Sequence, residues 1–403
     1  MKKDIKKGNA VFISLNKEYI APIPKIERGL KFIRYGSHNN YPDFMVDLLS
    51  SSGLHRSIIE KKVSMILGKG VNLEDISKET QNFIEHINDF ESLDSLLEKC
   101  VYDLEWYGGF YLQITWHGDK IDQIYHMDAT RMRVGPPNEF GYIDSYYYFS
   151  DLTIPMSNYV DTTQAIHFPV FGMSTDKSEP QILFVKKYSP TNKYYGSPLY
   201  EASMLDIQTY SEISNFHNSN LANSFSPGFM IFFNGTPPSD ELQDEIVKTL
   251  KDKYSGTDNV GKPMVFFLEE DMNEPVVKPI ETNDLDKQFE TLLSQIINNI
   301  ILSHQIPRQV VGIETAGSLG NSKEMLEATE IFKTNYIIPQ QNIVLNAFNL
   351  LFNINNLDEI SIINPSPNIM LFDMNELKEI LTTDEIREWL GFDKKENNDD
   401  EQQ

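Results

Sequence analysis

Residues 282–353 read TNDLDKQFETLLSQIINNIILSHQIPRQVVGIETAGSLGNSKEMLEATEIFKTNYIIPQQNIVLNAFNLLFN, and this stretch decides the architecture. In its first third, Leu285, Phe289, Leu292, Ile296 and Ile300 recur at three- and four-residue steps, and Leu293, Ile297 and Ile301 widen the same face. That spacing predicts a helix with one side buried. His304-Gln305-Ile306-Pro307 ends it, because proline lacks an amide donor and drives the residue before it out of the α region. Residues 308–321 are then expected to lack regular structure. They hold Gly312, Gly317 and Gly320, and an irregular connection of that length within a compact domain is uncommon unless it has a task or is disordered. Asn321 is a good N-cap and Glu324 stands at the capping-box position, so a second helix is expected through Met325, Ala328, Phe332 and Tyr336. It should kink near Pro339 and continue through Ile343, Ala347 and Leu351, reaching roughly 48 Å at 1.5 Å per residue.

Upstream, the chain divides into two parts. Residues 1–31 mix charges with Pro22 and Pro24 and read as an extended arm. Turn chemistry at Gly36-Ser37-His38-Asn39-Asn40-Tyr41-Pro42 leads into helical spacing through Phe44, Leu48 and Leu49, then Leu54, Ile58, Val63 and Ile66. Another helix is expected after Ser92, with Leu93, Leu96, Leu97, Val101 and Leu104 as its apolar face. At Gly108-Gly109 the period changes to two, and Gly118-Asp119 turns one strand into the next. Further strands are expected over 142–149, 165–170 and 182–186, so the first 200 residues read as helices followed by an antiparallel sheet. From Ser197 a helix rich in serine and asparagine runs to Pro227-Gly228, and such poor helix formers must be held by packing. A small β-α-β insert follows, and then the quoted stretch.

Composition narrows the function classes. Lys+Arg 35 against Asp+Glu 59 gives a formal charge of -24, which argues against a protein that holds nucleic acid by neutralising phosphates. The single cysteine, Cys100, excludes an internal disulfide and any cysteine-rich zinc site, which suits a reducing compartment. No apolar run approaches the length of a membrane span, and residues 1–7 lack the pattern of a signal peptide, so neither membrane nor cofactor is expected. Gly256 to Pro263 follows a phosphate-loop pattern until its last position, where proline replaces the Ser or Thr that would ligate magnesium. It also follows a helix and feeds a strand, the reverse of a phosphate loop. His38, His55, His86, His117, His126, His167, His217 and His304 have no metal-ligand partners at helical or loop spacing, and no nucleophile elbow is present. An enzyme with a helical lid therefore has no candidate catalytic residue. The aromatic run Tyr146-Tyr147-Tyr148-Phe149 lacks basic partners for stacking bases and reads as packing or a subunit contact.

The order of these segments resembles the portal proteins of tailed double-stranded-DNA bacteriophages. The residues that carry the resemblance are Tyr195-Gly196-Ser197-Pro198-Leu199 before a helix, an insert, a helix with Asp286-Lys287-Gln288-Phe289, then Ile306-Pro307, a glycine loop and Asn321-Ser322-Lys323-Glu324. Asn39-Asn40-Tyr41-Pro42, Trp106-Tyr107-Gly108-Gly109-Phe110-Tyr111-Leu112, His126-Met127-Asp128 before Arg131-Met132-Arg133-Val134, and the closing segment from Leu381 to Gly391 extend it over nearly the whole chain. The resemblance implies an α+β portal-type fold. Residues 1–196 would be an α+β wing, 197–226 and 282–307 a two-helix stem, and 227–281 a small α/β clip between them. Residues 308–321 would be a channel loop, and 322–403 a long kinked helix, a short helical crown and an acidic tail.

It further implies a homo-oligomeric ring of twelve copies at one capsid vertex of the virion, assembled in the bacterial host cytoplasm. Double-stranded DNA would pass through it without tight binding. Implied partners are the terminase large subunit, a head-completion or adaptor protein, and the major capsid and scaffolding proteins. The channel-loop residues would be Arg308, Gly312, Ile313, Glu314, Thr315, Ala316, Gly317, Ser318, Leu319 and Gly320, with Lys323 beside them. Asp240, Glu241, Asp244, Glu245, Lys248 and Lys251 would face motor or adaptor. Residues 227–280 hold ten carboxylates against five lysines, a negative surface that would repel sliding DNA. A different virion component, a capsid or adaptor subunit, is the alternative.

Overall fold

The computed structural model describes residues 24–27, 29–159, 165–222, 230–234, 264–268, 285–313 and 322–365, together with 382 and 385. After β1 (Pro24–Lys25) and β2 (Arg34–Tyr35), one apolar run becomes two helices, α1 (Tyr41–Ser51) and α2 (Gly53–Leu67). Ser52 divides them. Its backbone is extended, and its hydroxyl accepts the His55 amide at 3.4 Å, which caps α2. α3 (Lys78–Glu85) is capped in the same way by Ser77, and α4 (Leu93–Trp106) lies along α2. The expected face of α4 is buried, with Cys100 among it. Burial pushes its thiol well above the ordinary range, so it behaves as a small core hydrophobe.

Gly118, at φ 62°, and Asp119 form the turn between β3 (Gly109–His117) and β4 (Lys120–Met127). β8 (Gln181–Lys186) pairs antiparallel with the other edge of β3, while β5 (Met132–Val134), β6 (Ser145–Tyr148) and β7 (Ile166–Pro169) form a second antiparallel sheet. The one expected sheet is thus two. β3 is buried along its first four residues, so the backbone groups on both of its edges need partners, and β8 passes over β7 to supply them. Within the second sheet, Tyr146 and Tyr147 are buried and Phe149 is fully so, as the packing reading of that run expects.

Two contacts explain why the sequence motifs of this body stand far apart in the chain. Gly108, at φ 88°, and Gly196 lie where two backbones cross: a Cβ on Gly108 would meet the Ser197 carbonyl carbon at 2.5 Å, and one on Gly196 the Tyr107 oxygen at 2.5 Å. Only glycines allow that approach. The second contact joins Asn39 to Arg133, both fully buried. Asn39, at φ 59°, accepts on its amide oxygen from the Tyr35 amide at 3.2 Å and from Arg133 Nε at 2.6 Å, and its Nδ2 donates to the Met156 carbonyl at 2.9 Å. Arg133 donates further to the carbonyls of Asn39, Thr130 and Met132 at 2.6, 2.9 and 2.7 Å. A buried guanidinium is thereby solvated by protein oxygens.

A 3₁₀ turn (Leu199–Ser203) runs into α5 (Met204–Ala222), and α6 (Leu285–Ser303) packs beside α5. Hydroxyls in α5 bond back to the fourth carbonyl before them, Thr209 to Leu205, Ser211 to Ile207 and Ser214 to Tyr210, which satisfies their polar groups within the helix while packing on α6 holds it. On α6, Ile296, Ile300 and Ile301 are buried and Leu293 and Ile297 partly so, whereas Leu292 is 42% exposed. The buried stripe is therefore turned from the expected one toward the wider face. β9 (Met230–Asn234) and β10 (Met264–Leu268) pair in parallel between the two helices, Met230 with Met264 through Asn234 with Leu268. A parallel pair requires a crossover, in agreement with a β-α-β reading, although residues 235–263 lie outside the described residues.

Replacing Asn39 by Ala strands two buried donors and places a Cβ-bearing residue without a polar side chain in left-handed backbone. Urea unfolding should show a loss of about 2–4 kcal/mol. Unchanged stability would remove Asn39–Arg133 as a structural lock.

Candidate functional site

The expected channel loop is closed at its base by local hydrogen bonding. α6 ends at His304, Gln305 takes left-handed backbone at φ 55°, and Ile306 turns inward, 4% exposed. Residues 308–311 are helical, contrary to the expectation of no regular structure: Pro307 caps one turn, α7 (Arg308–Val311). The proline that ends one helix is equally fit to begin another, since the first amides of a helix have no internal partner. Gly312, at φ 82°, ends the turn, with the Ile313 amide bonded to the Arg308 carbonyl and the Gly312 amide to the Gln309 carbonyl, each at 3.2 Å. This pairing is a Schellman motif. α7 contacts α8 (Ser322–Phe332), so the two flanks of residues 314–321 meet.

After α8 the helix widens into a π turn (Lys333–Ile337) before α9 (Ile338–Ile354). The expected kink at Pro339 takes this form. A proline donates no hydrogen bond to the carbonyl four residues back, and a π turn before it relieves the ring's contact with that turn. The extra residue per turn also points Tyr336 inward.

A buried polar cluster joins four segments. Glu105 of α4 accepts from Lys62 Nζ of α2 at 2.5 Å and from the Tyr336 hydroxyl at 2.7 Å, and Lys187 Nζ stands 3.7 Å from its other oxygen. Lys62 also lies 4.2 Å over the Tyr336 ring. The Lys62 and Glu105 side chains are each 1% exposed. Burial works to raise the Glu105 carboxyl, but Lys62 and Lys187 outweigh it and hold it below its usual value. Burial lowers both lysines. Next to this pair, His55 Nδ1 and His304 Nε2 share a hydrogen bond of 3.0 Å, with Tyr200 stacked on His304 at 5.0 Å and edge-on to His55 at 4.4 Å. Both rings are fully buried. Burial and the Lys62 charge lower His55 to about 3 and hold His304 well below its ordinary value, so both stay neutral.

The structure distributes the expected site residues as follows. Arg308, Gly312 and Ile313 sit in the closed turn. Glu314, Thr315, Ala316, Gly317, Ser318, Leu319 and Gly320 lie outside the described residues, as do Asp240, Glu241, Asp244, Glu245, Lys248 and Lys251; Lys323 is placed in α8 by its backbone alone. The polar cluster was not foreseen, because Lys62 and Glu105 occur in ordinary amphipathic helices and nothing in their spacing marks them. The one legible signal was Pro339 near a buried tyrosine. Among the described residues no group of three or more His, Cys, Asp and Glu could hold a metal ion, and no helix is long and apolar enough to cross a membrane.

An α+β body, two helices flanking a parallel strand pair, and a turn-closed connection into a long π-interrupted helix define a portal-type fold. The phage portal protein family matches residues 65–391, and the chain belongs to that family. A protein of Rickettsia bellii (strain RML369-C) is 27% identical over 146 residues, 36% of this chain and 37% of the relative. The probable portal protein of Haemophilus phage HP1 (strain HP1c1) is 24% identical over 173 residues, 42% of this chain and 48% of that protein. The matched part thus spans less than half of each relative. Among solved structures, a chain in the neck of an empty gene transfer agent particle, computed with C6 symmetry, has a TM-score of 0.53 at 17% identity, covering 88% of this chain and 95% of that one. A chain in the neck of the native particle, computed with C12 symmetry, has a TM-score of 0.51 at 18% identity, covering 88% and 95%. This likeness establishes the fold.

The histidine pair makes stability depend on pH. Both folded-state values are depressed, so the unfolded chain takes up protons that the folded chain refuses. The contribution is complete above the unfolded value near 6.5 and is lost as pH falls from there toward about 3. Thermal unfolding of the full chain should weaken between pH 7 and pH 5, and the double variant His55→Asn/His304→Asn should show a shallower slope. Equal slopes would refute the assignment.

Proposed function

We propose that this chain forms a ring of twelve copies at one vertex of a phage capsid. The ring is the channel through which a terminase motor drives double-stranded DNA, the route of ejection and the attachment point of the tail connector. The observation that carries this reading is the portal-family match over residues 65–391. The fold likeness to a chain in a particle neck of C12 symmetry supports a closed ring. In this role the chain is structural, not an enzyme, and its partners are the terminase large subunit, a head-completion or adaptor protein, and the major capsid and scaffolding proteins. It assembles in the host cytoplasm and ends at the portal vertex of the virion.

Within the ring, residues 308–321 with Lys323 face the channel and residues 227–281 face motor or adaptor. The loop's base supports this placement: a rigid, hydrogen-bonded turn joined to a long helix presents a short segment at a defined point. Charge supports weak contact with DNA. A chain of -24, repeated around a ring, repels phosphates within the screening length of roughly 8 Å, and Arg308 and Lys323 are too few to hold a duplex.

Negative-stain class averages of the purified full chain should show closed rings with a central hole, whereas particles without one would favour a capsid or adaptor subunit. Deleting 314–319 should leave rings intact and lower DNA packaging or retention, and full packaging would sink the channel-loop assignment. Duplex DNA should bind assembled rings weakly at physiological salt. Tight binding with a steep salt slope would overturn the sliding-channel reading.

A further inference from the structure

From residue 334 to residue 357 the chain contains no Asp, Glu, Lys or Arg, although charged residues make up 23% of it. Burial explains one side of this helix, where Tyr336, Val344, Phe348 and Leu351 face the core. It does not explain the other side, where a surface helix ordinarily places its charges. There Asn335, Pro339, Asn342, Asn346, Leu350 and Asn353 are exposed, three and four residues apart, in one uncharged stripe. Leu350 is 52% exposed, and Ile331, 61% exposed, precedes the stripe. Lys333, the last cation before it, is held by the Pro365 carbonyl at 3.2 Å and by Glu330 at 4.0 Å. Earlier in the chain α6 repeats the pattern: residues 291–307 carry none of the four charged types, and Leu302 is 78% exposed.

We propose that the stripe on α9 is a surface against which a neighbouring copy of this chain packs. The inference rests on the ring reading and adds where two copies meet. Two chains of -24 repel each other, and carboxylates brought into contact repel even in water and more strongly when partly buried. An uncharged stripe brings no such pair together, and the cores of protein interfaces are depleted in charge for this reason. Asparagine amides offer donors and acceptors to a second chain without the burial of an ion. Leu350 and Ile331 supply apolar contact. DNA does not fit the same surface, because phosphate binding requires cations and the stripe has none.

Cys100 is the only cysteine and is buried, so Asn346→Cys introduces a single accessible thiol. In assembled rings of the full chain, maleimide labelling of Asn346→Cys should run at least tenfold slower than that of Asp119→Cys, whose side chain at the β3–β4 turn is fully exposed. Asn342→Glu/Asn346→Glu should keep the wild-type circular dichroism and lose at least tenfold in ring fraction by mass photometry. Rings in which Asn346→Cys labels as fast as Asp119→Cys would refute the packing surface while leaving the ring reading intact. Wild-type assembly by a folded double variant would do the same. A wild-type chain that forms no rings would overturn both, and if the double variant misfolds the labelling ratio decides alone.

Discussion

The buried pair of Lys62 and Glu105 is the constraint on which the arrangement of helices depends. Taking two charges out of water is costly, and their attraction offsets that cost only when remaining hydrogen-bonding capacity is met. Here the Tyr336 hydroxyl donates to the same carboxylate oxygen as Lys62, and Lys187 adds a second positive charge 3.7 Å from the other oxygen; each comes from a different part of the chain. α2 and α4 are therefore held in one relative position, since parting them would unpair Lys62 and Glu105, while the π turn and the end of β8 are drawn to the same carboxylate. Hydrophobic burial alone tolerates sliding. A directional ion pair does not.

That position matters because the π turn lies between the loop base and α9. Pro339 demands a disturbance of the helix near that point, and the Tyr336–Glu105 bond selects the form that turns the tyrosine inward. His304, just after α6, is packed against His55 of α2 and against Tyr200, so both flanks of residues 314–321 are tied to the N-terminal α+β body. Burial first, and the Lys62 charge second, keeps this histidine pair neutral. Electrostatics and packing thus act together at the described residues on either side of 314–321.

The N-terminal α+β body is built on close approach where α5 and α6 are built on helix pairing. Gly108 and Gly196 permit two backbones to touch as the chain passes from sheet to α5, and Asn39 with Arg133 ties the turn before α1 to β5. These contacts account for the motifs Asn39-Asn40-Tyr41-Pro42, Trp106-Tyr107-Gly108-Gly109 and Tyr195-Gly196-Ser197 better than local turn chemistry does. Each motif is half of a contact.

Periodicity, glycine and proline act locally, and they suffice to read α4, α5 and α6, the β3–β4 hairpin, the two strands of the insert between α5 and α6, and the order of segments that marks the portal family. The sequence by itself also determined the charge and the uncharged run of the long helix. Tertiary structure alone decided the rest. β8 joins β3 because a buried strand needs partners on both edges; residues 308–311 become helical because Pro307 can start a turn as well as stop one. Lys62, Glu105, Lys187 and Tyr336 meet although 43 residues separate the first two and no spacing links them to the others. An ion pair between distant segments has no local signature: its stability depends on the low dielectric that exists only after the chain has folded around it.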